Sequence, residues 1–201
     1  MFKGTSASAG IGIGKAVIVE EAELVITRNE VADAEAEIQR FKGALEKTIA
    51  ATQKMADDLA SRVGEKEAEI MQGHMMLLSD PMLTGEIENS VKNDKVNCEF
   101  AIENVCNMYA DMFASMGDEL MQQRATDMRD IKVRMQRTLM GLESVDVSLL
   151  PKGSILVAKD LTPSMTAGIN PENVSGIVTE LGGKTSHSAI LARALEIPAV
   201  V

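Results

Sequence analysis

Two histidines, His74 and His187, and two cysteines, Cys98 and Cys106, are the scarce reactive side chains of this sequence. His187 is set apart by its surroundings. It lies in Gly182-Gly-Lys-Thr-Ser-His-Ser-Ala-Ile-Leu-Ala-Arg193, directly after a glycine pair and in the first turn of a predicted helix. Unpaired backbone N–H groups and the positive end of the helix dipole favour an anion there, by roughly 0.3 to 2 kcal/mol for the dipole alone. Gly182 and Gly183 let the backbone come close to a phosphate, Thr185 and Ser186 can cap or donate, and Lys184 adds a mobile positive charge. An imidazole is a competent phosphoryl acceptor: it is a nucleophile, largely neutral near physiological pH, and the phosphoramidate it forms stays reactive enough to pass the group on. The same spacing also fits a packed face, because His187, Ile190, Leu191 and Ala194 share one side of the helix. The local pattern allows a phosphoryl acceptor or a satisfied core histidine.

Other chemistries are excluded more firmly. With two histidines and two cysteines, no ligand spacing suggests zinc, and no metal site is expected. Ser186 and Ser188 lack the strand-turn setting of a hydrolase nucleophile. The glycine-rich opening, Gly10 to Val19, departs from a P-loop at Ala9 and Ala16 and from a dinucleotide fingerprint at Lys15. Cys98 and Cys106 fall in one predicted helix about 12 Å apart, too far to bridge.

The elements that must hold His187 change texture twice along the chain. Ile11 to Val19 reads as a strand with a glycine-rich entry. From Asn29 a helical seam begins: Val31, Ala34, Ile38, Phe41, Leu45, Thr48, Thr52, Met55 and Leu59 recur at three- and four-residue spacing. Gly64 interrupts it, a second helix carries Ile70, Met71, His74, Leu77 and Leu78, and Asp80-Pro81 breaks or kinks the chain before Leu83, Ile87 and Val91. Cys98, Ile102, Val105, Tyr109, Met112 and Met116 form another seam, and Met128, Ile131, Met135, Leu139 and Leu142 a last one. Seam residues are expected in a core, with the 14 methionines as adaptable filler. After residue 145 short strands are expected at Ile155 to Ala158, Ile177 to Thr179 and Ala199 to Val201, with a short helix from Thr162-Pro163 and a longer one from His187 to Leu195. This is an α/β layer, which the opening strand is expected to join. The fold class is therefore a discontinuous α/β domain, residues 1–28 and 146–201, with an inserted all-α bundle at 29–145. Because the chain stops on a strand, the α/β domain is expected to be incomplete at its C-terminus.

Composition limits the partners. There are 20 Lys and Arg against 30 Asp and Glu, a net charge of -10, and aromatics are 2%. Nucleic acid calls for the opposite balance. Residues 29–145 hold 13 basic and 22 acidic side chains, so most of the charge lies on the helical part, where it would steer a basic partner or simply solvate the surface. No membrane-spanning run and no signal-peptide core are present, and a reducing cytoplasm is the expected location.

The run from Gly182 to Arg193, followed by Leu195-Glu-Ile-Pro-Ala-Val200, resembles the phosphohistidine signature of the enzymes that use phosphoenolpyruvate or pyruvate, which include pyruvate phosphate dikinase and phosphoenolpyruvate synthase. Three further stretches resemble the Enzyme I family of the bacterial sugar phosphotransferase system. They are Ala7-Ser-Ala-Gly-Ile-Gly-Ile-Gly-Lys-Ala16, Gly73-His-Met-Met-Leu-Leu-Ser-Asp80 and Arg124-Ala-Thr-Asp-Met-Arg-Asp-Ile131, with matching spacing to Leu161-Thr-Pro-Ser-Met-Thr166.

The resemblance implies a swivelling phosphohistidine domain with an inserted helical domain that docks the carrier protein HPr. It implies that His187 takes a phosphoryl group from phosphoenolpyruvate on Nε2 and gives it to a histidine of HPr, with Thr166 orienting the imidazole. Gly182, Gly183, Lys184, Thr185, Ser186 and Arg193 would form the phosphate environment, Lys184 standing where the family has arginine and so lacking the bidentate fork. His74, Leu77, Asp80, Phe113, Met121 and Arg124 would contact HPr, although Arg124 and Arg129 also suit carboxylates such as Asp127 and Asp130. The family's phosphoenolpyruvate and Mg2+ sites lie in a C-terminal barrel beyond this chain, so a monomer with no bound cofactor is expected here and a homodimer for the whole enzyme. A dikinase or synthase domain and a non-catalytic helical scaffold are the alternatives.

Overall fold

The computed structural model describes residues 4–20 and 22–201. Residues 1–3 and 21 of the expected α/β range lie outside the described residues. Contacts divide the chain into two compact units. One comprises the N-terminal segment to Ala22, Met55–Glu69 and Val145–Val201; the other comprises Glu23–Lys54 and Ile70–Ser144. The stretch 55–69, expected within the helical insertion, thus groups with the sheet.

The first unit is built on a five-stranded mixed sheet. Its strands are β1 (Ser6–Ser8), β2 (Lys15–Val19), β3 (Ser154–Ala158), β4 (Val174–Thr179) and β5 (Ala199–Val200), in the order β1-β5-β4-β3-β2. β2 to β5 are parallel neighbours, and β1 runs antiparallel to β5. The opening strand joins this sheet, with Val17 opposite Leu156. It starts only at Lys15: Ile11 and Ile13 are exposed and the glycine-interleaved run around them stays outside the ladder. Alternation along β3 buries Ser154, Leu156 and Ala158 on one face. That face packs with Ile177, Ala199, Met165, Ile169, Ala189 and Ala192 as one apolar cluster. α6 (Pro163–Ala167) connects β3 to β4 and α7 (His187–Ala194) connects β4 to β5. Both helices therefore start at the carboxyl edge of the sheet, where parallel α/β layers hold their ligands.

Helices make the second unit: most of α1 (Ala34–Arg62) and α2 (Glu65–Leu78), then α3 (Pro81–Asp94), α4 (Cys98–Ser115) and α5 (Glu119–Met140). Phe41, Leu78, Ile87, Ile102, Met128, Ile131 and Met135 are its core. Asp80-Pro81 starts a helix instead of merely breaking one: the Asp80 carboxylate accepts from the Met82 N–H at 2.8 Å and Pro81 takes the first turn. Asp118 caps α5 in the same way, and Gly141 ends it at φ 66°. The α4 seam holds for Cys98, Ile102 and Val105, but Met112 and Met116 are 43% and 53% exposed. The apolar stripe outruns the core that covers it. Cys98 and Cys106 are buried free thiols. No helix among the described residues is long and apolar enough to cross a membrane.

Candidate functional site

The loop between β4 and α7 is fixed at both ends. Beyond β4, the N–H groups of Glu180 and Leu181 donate to the carbonyls of Ala158 and Lys159 at 3.2 and 2.8 Å. Gly182 then turns at φ +113°, a conformation that side-chain-bearing residues rarely adopt. Ser186 caps the helix, its Oγ accepting from the Ala189 N–H at 3.3 Å and donating to the Gly183 carbonyl at 2.8 Å. The Ser188 hydroxyl lies 2.9 Å from Ser186 Oγ. His187 is the first helical residue and is half-buried.

Of the face that could have packed His187 inward, only Leu191 is buried; Ile190 and Ala194 are exposed. The inward face is Ser188, Ala189, Leu191 and Ala192. The imidazole is thus presented at the helix start. Lys184 and Thr185 are exposed. Arg193 serves the loop: its Nη1 donates to the carbonyls of Lys184 and Ala7 at 2.9 and 3.1 Å.

Thr166 sits on α6, which packs against α7. Its side chain is buried and its hydroxyl donates to the Thr162 carbonyl at 2.7 Å, leaving the oxygen's lone pairs to accept from a ring N–H. Two residues escaped the sequence reading. Thr179, at the end of β4, buries a hydroxyl without a hydrogen-bond partner 3.7 Å from where a Cβ on Gly182 would stand. Arg62, at the end of α1, donates through Nη1 and Nη2 to the carbonyls of Ile169 and Ala167, each at 2.6 Å. Nothing local marks either one. Their roles depend on residues that are distant in sequence or on strand-end geometry.

In the helical unit the expected partner-contact residues separate into an interior and a surface. His74 is 0% exposed, which removes it from any surface. Its Nε2 is 3.2 Å from Asp127 Oδ1 and its Nδ1 3.7 Å from Asp130 Oδ2. Burial between two α5 carboxylates gives the ring a bracing role, because a buried polar group needs such partners. Arg124 reaches the same group, Nη1 to Asp127 Oδ2 at 3.3 Å, and lies so close over Gly73 that a Cβ there would meet Nη1.

Leu77 is half-buried against the core and Asp80 holds its cap. Phe113 stacks obliquely on Tyr109, ring centroids 6.4 Å apart, and Met121 is half-buried. Met108 and Met112 of α4 and its C-cap residue Met116 are exposed at four-residue spacing, and Met82 from α3 is 68% exposed. Partial burial, and then Glu86 and Asp80, push the Tyr109 phenol up from its ordinary range, so carboxylates border this apolar surface.

Known proteins resemble this chain in sequence and fold. A model of the phosphoenolpyruvate-utilising enzyme N-terminal domain matches residues 3–124, and one of the phosphoenolpyruvate-utilising enzyme mobile domain matches residues 150–201. The chain belongs to the phosphoenolpyruvate-utilising enzyme family. It is similar to the phosphoenolpyruvate-protein phosphotransferases of Bacillus subtilis and Listeria monocytogenes, at 43% and 44% identity over 200 residues. These matches cover 100% of this chain and 35% of each relative, so the chain spans about a third of their length. Among solved structures it resembles an Enzyme I protein determined in solution by NMR, with TM-score 0.85 and 40% identity over 99% of this chain and 81% of that one. The N-terminal domain of a nitrogen-type Enzyme 1 matches at TM-score 0.67 and 26% identity, covering 98% and 82%. The expected fold class, a helical bundle with an α/β domain, is that of these structures.

Proposed function

We propose that this chain is the phosphohistidine-bearing, carrier-docking part of a phosphoenolpyruvate-protein phosphotransferase. The observation that carries the reading is the placing of His187: half-exposed, first in α7, after a glycine turn, with the Thr166 helix packed alongside. In the forward step a lone pair of the imidazole, at Nε2, forms an N–P bond while the P–O bond of phosphoenolpyruvate breaks and enolpyruvate leaves. The phosphoramidate then breaks in turn as a histidine of HPr forms its own N–P bond. Thr166 accepts from the other ring nitrogen, which holds the reacting lone pair toward phosphorus. Loop N–H groups at the start of α7 stabilise the phosphoryl charge. Lys184 adds a mobile charge, and Arg193 keeps the loop in shape through the Lys184 carbonyl.

HPr would dock on the α4 and α3 surface of Met82, Met108, Met112, Met116 and Phe113, with Asp80, Leu77, Met121 and Arg124 at its margins and His74 bracing it from within. Phosphoenolpyruvate would bind in a domain of the whole protein outside these 201 residues, and Mg2+ with it. No group of His, Cys, Asp and Glu among the described residues is arranged to hold a metal ion, and no step here runs through one. The test is transfer from radiolabelled phospho-HPr to this chain and to His187→Ala, with circular dichroism on both. Acid-labile label on the original chain and none on a folded variant supports the reading. Equal label on the variant overturns it, and loss of fold in the variant would point to a structural histidine.

A further inference from the structure

We infer that Arg62 is a positioning residue for phosphoryl transfer, acting through the short helix that carries Thr166; the inference rests on the phosphohistidine reading above. α6 is five residues long, too short to hold its own place, since a helix of one turn and a half has few internal bonds to set against its ordering cost. Its N-terminus is tied by Thr162, whose Oγ1 accepts from the Met165 N–H at 3.3 Å. At its C-terminus the Gly168 N–H turns back to the carbonyls of Met165 and Thr166, and the Ile169 N–H to that of Thr166.

The carbonyls of Ala167 and Ile169 face the Arg62 guanidinium. Nη2 donates to the first and Nη1 to the second, both at 2.6 Å, while Nε donates to the Asp58 carbonyl of α1 at 3.2 Å. The guanidinium thus joins the end of one helix to the end of another, at the negative pole of each, where a cation is favoured. A planar fork that reaches two carbonyls fixes angle as well as distance. The segment that presents it is itself anchored, with Ala56, Leu59 and Ala68 buried.

Thr166 lies one residue before this clamp and is buried, so a shift of α6 displaces its oxygen relative to α7 and the His187 ring. Misplacement of a positioning group by about 1 Å can cost on the order of a hundredfold in rate. Arg62 touches neither the imidazole nor the loop residues 182–186 in any bond described above. Its effect therefore falls on the turnover of bound carrier and not on docking.

The experiment compares the original chain with Arg62→Met and Arg62→Lys. Three quantities are measured: the saturating single-turnover rate (kcat) of transfer from phospho-HPr to His187 with the phospho-HPr concentration at half saturation (KM), the 15N resonances of the His187 ring, and the melting temperature. Arg62→Met is expected to lower kcat by about tenfold to a hundredfold with KM unchanged and to shift the ring resonances. Arg62→Lys, which reaches one carbonyl at a time, should recover part of both. A lower melting temperature with kcat and the ring resonances unmoved would make Arg62 a structural brace only and overturn the inference. If the original chain takes no phosphoryl group at all, the phosphohistidine reading fails. The ring resonances then decide by themselves: a displaced signal in Arg62→Met supports the clamp, and an unmoved one overturns it.

Discussion

At the scale of single residues, Thr166 and the two cysteines mark opposite uses of burial. The Thr162 carbonyl that takes the Thr166 hydroxyl also accepts the Thr166 N–H at 2.9 Å, so it stays partnered when the hydroxyl is removed. Thr166→Val is therefore expected to cost about 1 kcal/mol or less in urea unfolding, while transfer from phospho-HPr slows by about tenfold or more if, as proposed, the hydroxyl accepts from the imidazole. A variant that lost stability and kept its rate would deny Thr166 its orienting role. The thiols of Cys98 and Cys106 are both pushed up to about 12, first by burial, and at Cys98 next by the Glu37 carboxylate. A thiol attacks as its thiolate. Neither cysteine should react with a disulfide reagent near pH 8 in the native chain, and both should titrate in denaturant. The glycine pair and helix start made the place of His187 at the start of α7 legible, whereas Thr166 was singled out only through the family resemblance. Nothing around Arg62 in sequence points to carbonyls more than a hundred residues away.

Between elements, the junction of α1 with α4 shows how charge holds helices in place. Glu37 Oε1 accepts from the Cys98 N–H at 2.8 Å, and Arg40 lies between Glu37 at 2.7 Å and Glu99 at 2.8 Å. The Arg40 hydrogen bond is the main reason why the Glu37 carboxyl is held below its ordinary range, with the Cys98 N–H adding to it against the penalty of burial. A carboxyl lowered in the folded state contributes stability above its unfolded value of about 4.3, and that contribution is lost as pH falls through the folded value. Glu37→Gln should therefore flatten the acid limb when urea midpoints are followed from about pH 7 to about pH 3. An unchanged slope would show that Glu37 is not part of the acid response.

Gly73→Ala tests the junction of α2 with α5. Alanine favours the helix by up to about 1 kcal/mol, but its Cβ must displace the Arg124 guanidinium from Asp127. If HPr docks as proposed, the expected result is a fold at least as stable that binds HPr more weakly. The helices were legible because three- and four-residue spacing persisted over many turns and Asp80-Pro81 and Gly64 marked their ends. β1, with three residues, had too few positions to show alternation. The outward turn of Met112 and Met116 was hidden because periodicity reports a stripe without reporting where its cover ends. For the same reason, helical spacing could not separate 55–69 from the bundle, although those residues group with the sheet.

For the molecule as a whole, charge is the property that outlasts any one contact. Residues 29–145 carry 22 acidic and 13 basic side chains, and the apolar α4 surface is bordered by Asp80 and Glu86. Such a field acts mainly on encounter, because rim charges stay hydrated and gain little once the partner has docked. Its range is the Debye length, about 10 Å at 0.1 M salt and about 3 Å at 1 M. If HPr meets this surface with a basic face, raising the salt across that interval should lower the association rate by about an order of magnitude or more and leave the dissociation rate nearly unchanged. The apolar part of the contact should hold once formed, since methionine burial does not depend on screening. Stopped-flow association at several ionic strengths, read together with dissociation by dilution, separates the two. A flat association rate would mean that the acidic surface only solvates the helices and that the methionines alone select the partner; a rising dissociation rate would place charged pairs inside the contact instead of around it.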